Sequence, residues 1–478
     1  MPLNLFGKIF KHTVLFLLIA ELLSLLTFVT PLFGQVAFFA VLIAALVLAL
    51  IKLEYGLYIL LAELFVGGKG YLFAFDLNGT LISVRIALFL VVLAVWLYQV
   101  IKKRRLGFEL DKKIVISFSV LAAAIGLGLI NGFLNNEFAD IFFDFNGWLY
   151  FALIVVFLSV IKSQKIMENA WQTLVAATGY LAAKTVLVLL LFSYNFAGIG
   201  GVFYHWIRSS GVGEITYVSG SIFRIFFQSQ IYVLIGFFIV LAVVIGQKKM
   251  AEKKNYFFVG AYLYLTGLAI IISQSRSFWV GGLAAALLLL FFSWWRFNFR
   301  LKKTAILMAA LGIMVISQIF LIQLLTGNLS GNLVASRFNN LESEAAGISR
   351  LNQLRPLTDN IFQRLIFGYG FGKTLTYISS DPRILQTHPG GVYTTFAFEW
   401  GYFDIWLKLG LVGLLAYAFL IYQLVMVALR SDKQKMPMTI GMLTGLAAVL
   451  VTNIFSPYLN HPLGIGYIIL LAAIYGQK

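Results

Sequence analysis

The stretch Thr326–Asp404 reads TGNLSGNLVASRFNNLESEAAGISRLNQLRPLTDNIFQRLIFGYGFGKTLTYISSDPRILQTHPGGVYTTFAFEWGYFD, and an apolar run of membrane length flanks it on each side. It carries five arginines (Arg337, Arg350, Arg355, Arg364 and Arg383) and the histidine His388. A connection this long within a compact chain is usually either functional or disordered. Its aromatic side chains, among them Phe362, Tyr369, Phe371, Tyr393, Phe398 and Trp400, argue for order, because disordered segments are poor in them. The apolar runs read as a scaffold, and this loop as most of the functional site.

The rest of the chain supports that division. Of 478 residues, 61% are hydrophobic and only 12% charged, against about 25% charged in a soluble domain. The expectation is an all-α polytopic membrane protein. The net charge of +17 comes from lysine and arginine clusters between apolar runs, as in cytoplasmic loops. Anionic lipid headgroups and anionic substrates, not nucleic acid, are the partners this implies. There is no cysteine, so disulfides, a thiol nucleophile and Cys-type metal sites are excluded. The first apolar run follows Lys8 and Lys11, carries Glu21 and lacks a small-x-small cleavage site. It is expected to be a retained first span.

Apolar length predicts about fourteen spans, within a range of 12–14, at roughly 13–32, 34–52, 55–74, 81–101, 113–131, 144–161, 171–193, 230–247, 255–272, 278–295, 303–325, 405–429, 437–454 and 462–477. The third is weakest, interrupted by Glu63, Gly67, Gly68 and Lys69. Basic clusters at 102–113, 162–165, 248–254, 296–303 and 430–435 fall in alternate loops. The positive-inside rule makes that side cytoplasmic, with both termini. The site is then expected on the extracytoplasmic face of the membrane. An N-terminal bundle (1–200) and a C-terminal region (201–478) containing the loop 326–404 are the expected domains.

Positive charge on the expected outer face is nearly all arginine: Arg208, Arg224, Arg276 and the five of the large loop. A guanidinium grips phosphate oxygens with two parallel hydrogen bonds, whereas lysine acts as a point charge. The set suggests a phosphate-bearing ligand, although any single arginine could be a paired surface residue. Ser273-Gln274-Ser275-Arg276-Ser277 is a short turn between two spans. It pins Arg276 at the membrane surface, where the structural alternative is a snorkelling side chain.

Histidine suits proton abstraction near neutral pH. His388 is the first candidate for a general base and Glu399 the second, each with a structural alternative. Gly368-Tyr369-Gly370-Phe371-Gly372-Lys373-Thr374 looks like a phosphate loop, but Phe367 stands where such a loop requires glycine. It reads instead as a tight turn ending a helix from Ser349 to Leu365, kinked at Pro356. The apolar positions Leu351, Leu354, Ile361, Phe362 and Leu365 suggest that this helix lies along the membrane surface. No His, Asp and Glu cluster has metal-ligand spacing, so a metal-dependent transferase is disfavoured. Lys184, near the middle of a span, should meet Glu21 or Glu63. Such a pair would also suit the proton or ion pathway of an ion-coupled transporter.

Three motifs resemble the O-antigen ligase and repeat-unit polymerase superfamily of membrane glycosyltransferases. They are SQSRSFWVGG (Ser273–Gly282), SRLNQLRPLTDNIFQRLIFGYGFG (Ser349–Gly372) and FEWGYFDIWLKLGLVGLL (Phe398–Leu415). A fourth, weaker likeness is FRIFFQSQIY (Phe223–Tyr232). The resemblance covers roughly 220–475. It implies a type-C glycosyltransferase fold and a metal-independent, inverting transfer with no cofactor. The donor would be an oligosaccharide on polyprenyl diphosphate and the acceptor a glycan. Chain-length regulators or other envelope-assembly proteins would be partners. Arg276 and Arg350 would hold the diphosphate, with Arg224 as a third. Ligases of this superfamily carry a His-Asn pair about eleven residues before the glycine matching Gly410, where this sequence has Glu399-Trp400. That difference favours a repeat-unit polymerase over a ligase attaching glycan to lipid A-core or another acceptor.

Overall fold

The computed structural model describes residues 5–30, 33–104, 108–219, 221–246, 253–297, 301–328, 345–432 and 435–477. Arg337 lies outside them. Helices dominate: α1 (Lys8–Val29), α2 (Gly34–Ile51), α3 (Leu53–Val66), α4 (Val84–Lys103), α5 (Lys112–Asn135), α6 (Phe138–Phe145), α7 (Ile154–Val160), α8 (Gln164–Ser193) and α9 (Gly200–Ser209). Then come α10 (Gln230–Gly246), α11 (Lys253–Ile272), α12 (Arg276–Phe297), α13 (Leu301–Thr326), α14 (Ala345–Gln363), α15 (Pro382–Thr387), α16 (Gly401–Ala428), α17 (Met436–Thr452) and α18 (Pro462–Tyr475).

Among the described residues, nine helical segments are long and apolar enough to cross a membrane, and four apolar helices are shorter. The protein is a mostly helical, polytopic membrane protein. The expected span 55–74 is replaced by the 14-residue α3, which at 1.5 Å per residue reaches only about 21 Å of a roughly 30 Å hydrocarbon core. Among the described residues the loops hold three antiparallel hairpins: β1–β2 (Ala74–Leu77 with Thr80–Ser83), β3–β4 (Gly213–Ser219 with Ile222–Phe227) and β5–β6 (Leu375–Ile378 with Val392–Thr395). The described residues form two compact units.

The first unit comprises Met1–Phe108, Leu153–Gly331 and Asp432–Ala448. Its buried charges are matched in pairs, as the cost of an isolated charge among apolar helices demands. Lys184 of α8 meets Glu21 of α1 at 2.7 Å. The Tyr180 hydroxyl donates to the same carboxylate (3.1 Å), and the ammonium faces the rings of Trp206 and Phe227. Glu63, the other partner considered for Lys184, instead accepts two 2.9 Å hydrogen bonds from Arg85. A third Arg85 nitrogen donates to the Gly68 carbonyl.

The second unit comprises Glu109–Ala152, Asn332–Ser431 and Val449–Lys478. Helix α5 packs along α16, which is interrupted at Gly410 (φ 69°, ψ −173°). The interruption removes helical partners from the backbone on both sides, and buried backbone groups need partners. The segment 365–370 supplies them. Tyr369 and Gly370 N–H donate to the Leu407 and Lys408 carbonyls, while Leu411 and Val412 N–H donate to Leu365 and Ile366. Gly370, at φ 84°, lies so close to α5 that a Cβ would come 2.1 Å from the Gly132 nitrogen. The glycine-rich motif is therefore a structural turn, and Asn136 braces it by donating to the Tyr369 and Phe371 carbonyls.

Below the turn, Lys408 lies 2.6 Å from both Asp144 and Asp404. The second Asp144 oxygen accepts the Gly372 N–H at 2.8 Å, and Asn460 donates to Asp404. This buried cluster links α16, the turn and the segment around Asp144. Helix α14 matches the predicted helix over Ser349–Gln363 and continues through Pro356. It buries Ser349, Gln353, Leu357 and Ile361, and leaves exposed Leu351 and Phe362, two of the apolar positions expected along the membrane surface. Leu357 and Ile361 pack with Leu375, Phe398 and Leu407.

Candidate active site

In the first unit, Arg224 on β4 reaches the turn that carries Arg276. Its Nε donates to the Ser273 carbonyl at 3.1 Å, and its guanidinium lies 4.9 Å from the Phe226 ring centre. The turn is tight: Gln274 adopts φ 44°, and the Ser275 and Ser277 hydroxyls are 3.0 Å apart. Arg276 is half-buried and is the first residue of α12. A helix start favours anions through its free N–H groups and its dipole.

In the second unit, the structure brings Arg350 and Glu399 together as an ion pair. Two further contacts hold that pair in place. The Trp400 indole donates to the Arg350 carbonyl at 2.8 Å, and the Glu399 N–H donates to the Gln353 side chain at 3.0 Å. Tyr377 adjoins this group through Gln353, and burial raises its phenol above the usual range. Its cross-strand partner is Tyr393, with ring centres 6.1 Å apart. His388 meets the Tyr393 ring edge-on at 6.0 Å. An aromatic bridge on the β5–β6 hairpin thus connects His388 to the Arg350–Glu399 pair.

His388 is exposed just beyond α15. Its Nδ1 lies 2.9 Å from the Thr387 hydroxyl, which donates to the Ile384 carbonyl at 3.2 Å. In the tautomer protonated at Nδ1, Nε2 carries the lone pair that a base needs.

The other arginines play different parts. Arg208 donates to the Tyr204 hydroxyl, and Arg355 makes an exposed pair with Asp359 at 3.8 Å. Arg364 lies against Tyr369, and the Arg383 side chain lies outside the described residues. Sequence reasoning missed Arg85 and the Lys408 cluster. Charged residues inside the apolar runs VRIALFLVV and FDIWLKLG were the available signal.

Residues 261–418 match the family model described as O-antigen ligase. A general O-oligosaccharyltransferase of Acinetobacter baylyi is 32% identical over 137 residues, which is 27% of this chain and 23% of that relative. The chain therefore spans about a quarter of the length of the curated relative it matches. The three principal motifs lie inside the family match, whereas Arg224 lies before it. Residues 261–418 are thus similar to the O-antigen ligase family, and both matches bear out the resemblance of this chain to the O-antigen ligase superfamily.

Proposed function

We propose that the protein transfers a preassembled oligosaccharide from a polyprenyl diphosphate carrier to a sugar hydroxyl on the extracytoplasmic side of the membrane, and that it builds polysaccharide from repeat units. The observation that supports this reading is the group around the β5–β6 hairpin: an exposed histidine, an aromatic bridge and an arginine paired with Glu399. In the proposed step the acceptor hydroxyl oxygen attacks the anomeric carbon with inversion, and its proton passes to His388 Nε2. The bond from the anomeric carbon to the diphosphate oxygen breaks, and its electron pair leaves with polyprenyl diphosphate. Arg350 is a phosphate-binding arginine, and so is Arg276, with Arg224 beside its turn. Preorganised charge of this kind stabilises a leaving group without reorganisation during the reaction. Glu399 orients Arg350 and is the second candidate base.

A ligase-type acceptor is the second reading, favoured by the description of the matched family and the name of the relative. The test uses purified protein in lipid nanodiscs with polyprenyl-diphosphate oligosaccharide and no nucleotide or metal. A product ladder at repeat-unit spacing supports the polymerase. Transfer only after a second acceptor is added supports the ligase. Donor that crosses the bilayer chemically intact contradicts both readings.

A further inference from the structure

Two cations share the ring of Tyr369. The Arg364 guanidinium lies 4.6 Å from the ring centre and the Lys373 ammonium 4.5 Å. Arg350 pairs with Glu399 and Arg355 with Asp359, and among the described residues neither Arg364 nor Lys373 is ion-paired to a carboxylate. Their platform is fixed. The Tyr369 hydroxyl donates to Gln363 at 2.9 Å, its N–H donates to the Leu407 carbonyl at 2.8 Å, and its ring packs on the cluster around Leu357 and Ile361. The ring attracts each cation, but the two like charges repel, and an anion placed between them relieves that repulsion. Burial, and then the charge of Arg364, hold the Lys373 ammonium below its ordinary range.

The surroundings indicate where that anion comes from. Phe362, Ile366 and Phe367 flank Arg364 in sequence and are 70%, 53% and 56% exposed. Exposed aromatic and aliphatic side chains beside cations are characteristic of the membrane–water boundary. A water-facing anion site would not need them. We propose that Arg364, Lys373 and the ring of Tyr369 form a binding site for the phosphate of an anionic membrane lipid. This site is separate from Arg350 and His388, and it stands whether or not the glycan-transfer reading does.

Native mass spectrometry of the full-length protein, titrated with phosphatidylglycerol, tests the site. A cation near a lipid surface contributes about fivefold to binding, so Arg364→Gln and Lys373→Gln should each weaken retention about fivefold and the double variant roughly thirtyfold. Tyr369→Phe, which keeps the ring, should retain lipid, and Tyr369→Leu should lose it. Retention by the double variant equal to wild type would overturn the proposal. So would wild-type protein that binds inorganic phosphate but not phosphatidylglycerol, since that would mark a free-anion site.

Discussion

Arg350 donates to the Glu399 carboxylate, so two residues expected to act separately form one unit. The pair is 36% and 40% exposed, so its value lies in orientation more than in stability. Arg350→Ala should lower the transfer rate by about 10²–10³, the cost of losing one preorganised charge contact. Glu399→Gln should cost about tenfold and leave the shape of the pH–rate profile unchanged, because a positioning residue supplies no proton acceptor. Loss of a pH limb in Glu399→Gln would instead make Glu399 the base.

His388→Ala should lower the turnover number by about 10²–10⁴ while the KM for donor stays within a few-fold. Thr387→Val removes the hydroxyl beside Nδ1 and should give a smaller loss, about tenfold. Steady-state rates in nanodiscs measure both. A His388→Ala enzyme within twofold of wild type would remove the base assignment.

Lys408→Met leaves Asp144 and Asp404 buried without their shared cation. Removing one partner from a buried charge cluster costs about 3–5 kcal/mol. Thermal unfolding in detergent should show a markedly lower midpoint. Lys408→Met combined with Asp144→Asn and Asp404→Asn should recover part of the loss, since cluster members do not contribute additively. An unchanged midpoint for the single variant would show that the cluster is not needed for stability.

Gly370→Ala should prevent correct folding, because the new Cβ meets the α5 backbone at 2.1 Å. Gly79→Ala has a similar φ of 86° but open space around it, so it reports left-handed strain alone, about 1–2 kcal/mol. Size-exclusion profiles of the two variants separate steric packing from backbone strain. Equal behaviour would mean that the close approach to α5 is unimportant.

Lys373 gives a pH dependence. Its folded-state pKa is depressed, so between that value and the unfolded value of about 10.4 the unfolded chain binds more protons, and stability rises with pH. In detergent free of anionic lipid, Lys373→Met should abolish that rise and be more stable than wild type at neutral pH. Unfolding midpoints across pH check this, and parallel curves for the two proteins would contradict it.

Much of this architecture is legible in the sequence because membrane spans and buried charges obey strong, local rules. The helix expected at 349–365 appears at Ala345–Gln363, and Lys184 finds one of its two expected carboxylates. Tertiary pairing is less legible. Nothing local shows that Glu399 turns toward Arg350 from 49 residues away, or that α16 breaks at Gly410 to admit the segment 365–370. The stripe Ser349, Gln353, Leu357 and Ile361 was hidden because half of it is polar, and α14 buries those polar groups with partners such as Ser379 and Glu399.

The most direct test counts polyprenyl diphosphate released and sugar repeats added by wild-type protein and by His388→Ala in the same nanodiscs. The account predicts one carrier released per repeat added by wild type, and both products suppressed together in the variant. Carrier that keeps its glycan in the presence of wild-type protein and acceptor would contradict glycan transfer as the function.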